Sequence, residues 1–315
     1  MTASLPAFIL EPQYRDYVWG GKRLRPGQTT AEVWAVHEDN RISSGPLAGK
    51  TLAQASEELG AQLLGSLPVE RTGTRFPLLI KLLDCAQWLS LQVHPNDQQA
   101  VELEGPGHFG KTEAWHFIEA EPGAEILCGF RPGVPPEAIR KSVRDGSILD
   151  YAQRTPVHAG DTFFIKPGTL HALGPGLLVY EVQQTSNITY RVYDWGRPAS
   201  AGRQLHIEQS LAVLDPEASG QPVPPPAFQD GAGRMLVKCE YFSLELLTTE
   251  QKPISLSPSG LSFHTLTVIE GSVRLSGEDW EVDLDRFAAA LVPACITNYE
   301  IRPRSSSRLL KSSVE

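Results

Sequence analysis

Apolar residues in this chain come in short runs, and glycine or proline ends nearly every run before it reaches helical length. With 27 glycines and 25 prolines in 315 residues, turn residues recur too often for long helices over most of the sequence. The apolar stretches at 76–83, 115–120, 125–130, 162–166, 177–183, 242–247, 266–270 and 287–292 read as strands. Many short strands separated by turn signals build sandwiches or barrels. Helical patterning is sparse. It predicts a helix over 51–64, a short one over 97–103, and one over 135–150 that carries proline in its first turn. The expected fold is mainly β, built as sandwiches or barrels with minor helical insertions.

The clearest break is the proline-rich linker 215–230, DPEASGQPVPPPAFQD. It separates an N-terminal domain over 1–214, which holds the segments of candidate chemistry, from a small C-terminal jelly roll over 231–315. His264 in that second domain has no matching carboxylate or partner histidine, so no metal is expected there.

A formal net charge of -9 argues against nucleic acid as the main partner, because phosphate backbones need a basic surface. A small phosphorylated ligand needs only a few local cations and remains open. No apolar stretch approaches membrane-span length, and the first residues lack the charged and apolar segments of a signal peptide. The four cysteines, Cys85, Cys128, Cys239 and Cys295, are scattered and form no CxxC pair. They read as reduced thiols, and the expected location is the cytoplasm, with no membrane partner. Oligomeric state is not legible.

Three segments carry candidate chemistry. In Leu89-Ser90-Leu91-Gln92-Val93-His94-Pro95, strand alternation puts Ser90, Gln92 and His94 on one face. In Gly110-Lys111-Thr112-Glu113, a turn delivers a lysine and a carboxylate at the start of a strand. In Pro167-Gly168-Thr169-Leu170-His171, a turn precedes a second histidine. Two imidazoles, one carboxylate and one amide oxygen suit zinc with room for water or substrate. Iron(II) or manganese also accept two histidines and a carboxylate. Fixed positive charge beside the cluster, from Lys111 and Arg191, points to an anionic, oxygen-rich small molecule.

The pattern G-x7-G-x-x-H from Gly160 through Gly168 to His171 resembles the second motif of the cupin superfamily. The stretches LSLQVHPND (89–97), GKTEAW (110–115) and TYRVYDWGR (189–197) resemble type I mannose-6-phosphate isomerases of the short bacterial form. Trp19-Gly20-Gly21 and Ala31-Glu32-Val33-Trp34 look like that family's N-terminal region, although no role is carried over to Glu32. The resemblance implies two cupin-like barrels and a zinc-dependent aldose–ketose isomerase, with one zinc ion per chain. It would interconvert mannose 6-phosphate and fructose 6-phosphate through an enediol. By motif position His94, Glu113 and His171 match the family's zinc ligands, and Gln92 matches a ligand of the longer members. Arg191 and Lys111 match residues of the active-site cavity.

Among these groups, Arg191 is suited to hold phosphate or an enediolate oxygen, the competing role being an ion pair with Asp194 or a nearby glutamate. Lys111 is a candidate for substrate oxygens or phosphate, and Ser90, on the ligand face, for phosphate. Glu181 is the candidate proton-transfer base, with Lys111 or a metal-bound hydroxide as alternatives. His116 stands on the opposite face from Trp115 and is read as packing. Two other functions use the same ligands: a non-haem iron oxygenase of the cupin kind, and a sugar-phosphate-binding protein without turnover.

Overall fold

The computed structural model describes residues 5–198 and 203–314. The protein is mainly β with few helices, as the short runs predict. The strands expected at 125–130 and 177–183 form as Glu125–Phe130 and Leu177–Gln184. The others shift by one or two residues at their ends, as with Leu78–Cys85 and Glu113–Ala120.

Helix ends obey local chemistry. Asn96 caps the helix Asp97–Glu104, and Gln99 reaches back to it in a capping box. The stretch expected as one helix over 51–64 forms two, Leu52–Leu59 and Ala61–Leu64, because Gly60 at φ 50 and ψ -124 leaves the helical region. The helix Pro136–Asp145 stops at Gly146 (φ 82), short of the expected end, and a 3-10 turn, Ile148–Asp150, comes next. Ile207–Val213 is a helix that the sequence pattern did not predict.

The chain divides into two compact units that are discontinuous in sequence. One takes in residues 1–15, 33–82 and 226–315, the other 16–32 and 83–225. Compactness in space thus groups N-terminal residues with 226–315, where a reading along the chain keeps all of 1–214 together. The proline-rich stretch is also more than a connection. Gln221–Val223 pairs antiparallel with Thr162–Ile165, with Pro222 opposite Phe163 at the edge of a sheet, where a missing N–H is tolerated.

In the unit containing residues 226–315, a six-stranded sheet and a four-stranded sheet enclose one apolar core. Leu247, Leu266, Val268 and Leu309 come from the larger sheet, and Leu275, Leu284, Tyr299 and Ile301 from the smaller.

The other unit carries the three segments of candidate chemistry. Its five-stranded sheet has the order Tyr190–Tyr193, Leu91–Val93, His171–Leu173, Glu125–Phe130, Ala152–Pro156. Strands Gln221–Val223, Thr162–Ile165, Glu113–Ala120 and Leu177–Gln184 run in that order in a second sheet. Between the sheets lie Trp115, Phe117, Ile126, Phe163, Leu173 and Val179. The outer face of the five-stranded sheet, with Leu91, Val93, Tyr190 and Val192, is covered by Val143 and by Leu211 of the unpredicted helix.

Candidate active site

Antiparallel register lines the functional side chains up in two rows. In the five-stranded sheet, Arg191 is the cross-strand partner of Gln92, Gln92 of His171, and His171 of Cys128. Cross-strand partners share a face. Because Leu91, Val93, Tyr190 and Val192 occupy the outer face, this row points inward. In the second sheet, Glu113 pairs with Gln183 and Ile165, and Trp115 with Glu181.

Turns and side-chain bridges aim the remaining groups. Gly168, at φ 83, makes the turn before His171, and its N–H donates to His94 O at 2.9 Å. Gly110 passes so close to Asn96 that a Cβ would lie 2.6 Å from the Asn96 carbonyl carbon. Asp97 Oδ1 accepts from Gly110 N–H at 2.7 Å and from Gln184 Nε2 at 2.9 Å, and Gln184 Oε1 accepts from Thr112 N–H at 2.9 Å. This web fixes the segment carrying Lys111 and Glu113. Asp97 closes the motif LSLQVHPND, yet its role depends on Gln184, which no local pattern marks.

His94, Glu113 and His171 converge, with their candidate ligand atoms all within 4.8 Å of one another. All three are buried. Glu113 lies 3.3 Å from His171 Nε2 through Oε1 and 3.6 Å from His94 Nε2 through Oε2. The Gln92 amide lies 3.3 Å from each of those imidazole nitrogens. His171 Nδ1 is 2.9 Å from Thr169 O. A carbonyl only accepts, so Nδ1 carries the proton and the Nε2 lone pair faces Glu113. Burial pulls the His171 pKa down to about 4, with Lys111 adding to the fall, which keeps the imidazole neutral and able to donate its lone pair to a cation.

The four predicted ligands therefore come together. Lys111 joins them, with Nζ 3.1 Å from both Glu113 Oε2 and His94 Nε2. Ser90 Oγ donates to Gln92 Oε1 at 3.1 Å. The two ends of an amide exchange by a simple flip, and a hydroxyl also accepts. Ser90 can therefore hold the Gln92 amide nitrogen while the amide oxygen faces the histidines. Glu181, buried, accepts from Trp115 Nε1 at 3.0 Å, and the Trp115 ring meets His171 edge-on with centroids 5.3 Å apart. Trp115, to which sequence reasoning gave no role, thus borders the cluster. Arg191 does not pair with Asp194 by hydrogen bond, because Arg197 and Arg203 occupy that carboxylate. His116 lies on the opposite face, with Nδ1 2.9 Å from Thr162 Oγ1. His264, in the other unit, has Nδ1 2.9 Å from Tyr299 Oη.

Two facing sheets with a buried cluster of two histidines and one carboxylate define a cupin-type β protein with a candidate metal centre. Comparison with known proteins narrows this. Residues 7–132 match the type I phosphomannose isomerase catalytic domain. A mannose-6-phosphate isomerase of Bacillus subtilis is 34% identical over 295 residues, covering 87% of this chain and 88% of its own. One from Streptococcus mutans is 40% identical over 219 residues, 65% of this chain and 67% of that protein. The crystal structure of mannose 6-phosphate isomerase from Bacillus subtilis superposes with a TM-score of 0.86 at 32% identity, over 97% of this chain and 99% of that one. The chain belongs to the type I phosphomannose isomerase family. No helix among the described residues is long and apolar enough to cross a membrane.

Proposed function

We propose that this protein interconverts mannose 6-phosphate and fructose 6-phosphate, using one zinc ion per chain held by Gln92, His94, Glu113 and His171. The observation that carries the reading is the spacing of the donor atoms. Groups that share one zinc ion at about 2.0–2.2 Å lie about 3–4 Å from one another, and zinc can take a further oxygen beyond four protein groups. Glu113 lies 3.3 Å and 3.6 Å from the two histidine nitrogens, and Gln92 Nε2, whose place an amide flip gives to Oε1, lies 3.3 Å from each, within a cluster whose ligand atoms span at most 4.8 Å. Gln92 would add a fourth protein group to the three of an oxygen-activating facial triad, which favours isomerase over oxygenase.

When bound, the metal supplies Lewis acidity for the negative charge that develops on the sugar oxygens at C1 and C2. The reaction moves a proton from C2 to C1 through an enediol and is redox-neutral. Glu181 is assigned as the proton carrier. Its carboxylate is held by the Trp115 indole beside His171. Lys111, at the edge of the ligand set, is assigned a substrate oxygen and Arg191, in the row of Gln92, an anionic group, and their positions support this. The chemistry sits in the unit carrying 83–225, the two-sheet unit containing 226–315 is read as a second jelly roll without metal, and the setting is cytoplasmic.

The test is a coupled assay for fructose 6-phosphate made from mannose 6-phosphate, run on purified protein before and after chelation and after zinc add-back. Activity lost and restored with zinc supports the reading. A zinc-loaded protein that gives no product defeats it.

A further inference from the structure

The chain leaves the Arg191 strand at Tyr193 and turns through Trp195 (φ 54) and Gly196 (φ 71). It returns so that His206 N–H donates to Arg191 O at 2.8 Å, while His206 Nδ1 accepts from Arg191 N–H at 3.2 Å. Asp194, buried, clamps this loop on both sides. It accepts from Arg197 Nη1 at 3.1 Å on the outgoing side. On the returning side it takes Arg203 Nη2 at 2.9 Å together with Arg203 Nε.

Two guanidinium groups, Arg197 and Arg203, therefore hold one carboxylate at the end of the Arg191 strand. Arg197 is spent on structure, because its Nη2 also donates to Gln87 Oε1 at 3.1 Å and Trp88 O at 2.8 Å. Arg203 gives Asp194 one edge of its fork. Its Nη1 donates to nothing among the described residues. The Arg191 side chain donates no hydrogen bond there either, and its buried Nε has no acceptor. Arg203 is close enough that, after burial itself, it is the largest influence lowering the Arg191 pKa. Two half-buried cations held side by side repel unless an anion lies between them. Arginine forks match the geometry of phosphate oxygens. Arg191 is the cross-strand partner of Gln92, so its side chain starts from the ligand face.

We propose that Arg203, positioned by Asp194, joins Arg191 to form the site for the substrate's phosphate group. The inference rests on the isomerase reading for the identity of the substrate, but not for the binding of phosphate. Arg203 lies outside the motifs LSLQVHPND, GKTEAW and TYRVYDWGR and is separated by twelve residues from Arg191, so no local pattern marks it.

The test uses the full-length, zinc-loaded protein with Arg203→Gln and Arg203→Lys, each checked for folding by thermal melting. Inorganic phosphate binding is measured by calorimetry, and KM and kcat for mannose 6-phosphate are measured in parallel. Arg203→Gln is expected to weaken phosphate binding and raise KM by about tenfold or more, with a smaller change in kcat, as for loss of a charge-assisted contact. Arg203→Lys keeps the charge without the fork and is expected to restore part of the affinity. If Arg203→Gln does not fold, Arg203→Lys carries the test through its own loss of phosphate affinity. Phosphate affinity equal to the parent in the folded variants overturns the proposal. Arg203-dependent phosphate binding in a protein that makes no fructose 6-phosphate defeats the isomerase reading and leaves this one standing.

Discussion

Glu113→Gln replaces a carboxylate with an amide of the same size, so it removes one negative charge and opens no cavity. The structure sets the cost. Glu113 is fully buried, Lys111 is 3% exposed, and Lys111 Nζ lies 3.1 Å from Glu113 Oε2. Glu113 is the only carboxylate within ion-pair distance of Lys111 among the described residues. The variant therefore leaves a buried ammonium beside the His94 imidazole and an amide. Breaking one side of a buried pair costs about 3–5 kcal/mol. In a chain of this size that is a fall in melting midpoint of roughly 6–10 °C, at about 2 °C per kcal/mol. Lys111→Met in the same background removes the stranded charge, so the double variant is expected to regain at least about 2 kcal/mol, the coupling typical of a contacting pair. The measurement is thermal or urea unfolding of the chelated protein, for the parent, both single variants and the double variant. Chelation removes metal affinity from the comparison. A Glu113→Gln protein that melts within about 1 °C of the parent, or a double variant no more stable than Glu113→Gln, refutes the charge argument.

Three further outcomes are expected. Glu181→Gln still offers Trp115 an acceptor oxygen but cannot carry a proton, so turnover and hydrogen exchange at C2 should fall about a hundredfold or more while zinc content stays; activity within threefold of the parent (roughly, on the same scale) would move the base assignment to Lys111. His264 is buried and its pKa is pulled down to about 3 by burial and by Lys311, against about 6.5 in an unfolded chain. It is neutral in the fold, so its stabilising contribution is complete above pH 6.5 (approximately) and is lost as pH falls toward 3, at up to about 1.4 kcal/mol per pH unit. A non-titrating His264→Gln should flatten that acid limb in urea titrations, and an unchanged pH slope would count against it. Burial pushes the Cys128 thiol up to about 12, whereas Cys295 is exposed. Alkylation of the native protein near neutral pH, read by mass spectrometry, should label Cys295 and spare Cys128.

Much of the site can be read in the sequence because its local parts are short. Alternation places Ser90, Gln92 and His94 on one face, and the structure keeps Ser90 hydrogen-bonded to Gln92. The glycine before Thr169 and the Asn96–Gln99 capping box act within a few residues. Other assignments needed the fold. The competing role for Arg191, pairing with Asp194, is a reasonable choice from two residues three apart. It fails because Arg203 returns from beyond the loop to take that carboxylate. Glu181 is suggested by its place soon after His171 and by resemblance to a glutamate of the longer isomerases, yet it accepts from Trp115, 66 residues away and opposite it on the neighbouring strand.

The sequence by itself determined that the chain is built of short strands, where most of them lie, and which two histidines and which carboxylate are available to a metal. These come from side-chain periodicity and turn chemistry, which act over a few residues. Only the tertiary structure decided that His171 sits between Gln92 and Cys128, that Gln221–Val223 joins a sheet, and that residues 33–82 belong with 226–315. Those outcomes depend on strand register and on which faces bury one another. Register is set by the sum of many contacts between residues far apart in the chain, so a local pattern supplies the candidates and cross-strand pairing chooses among them.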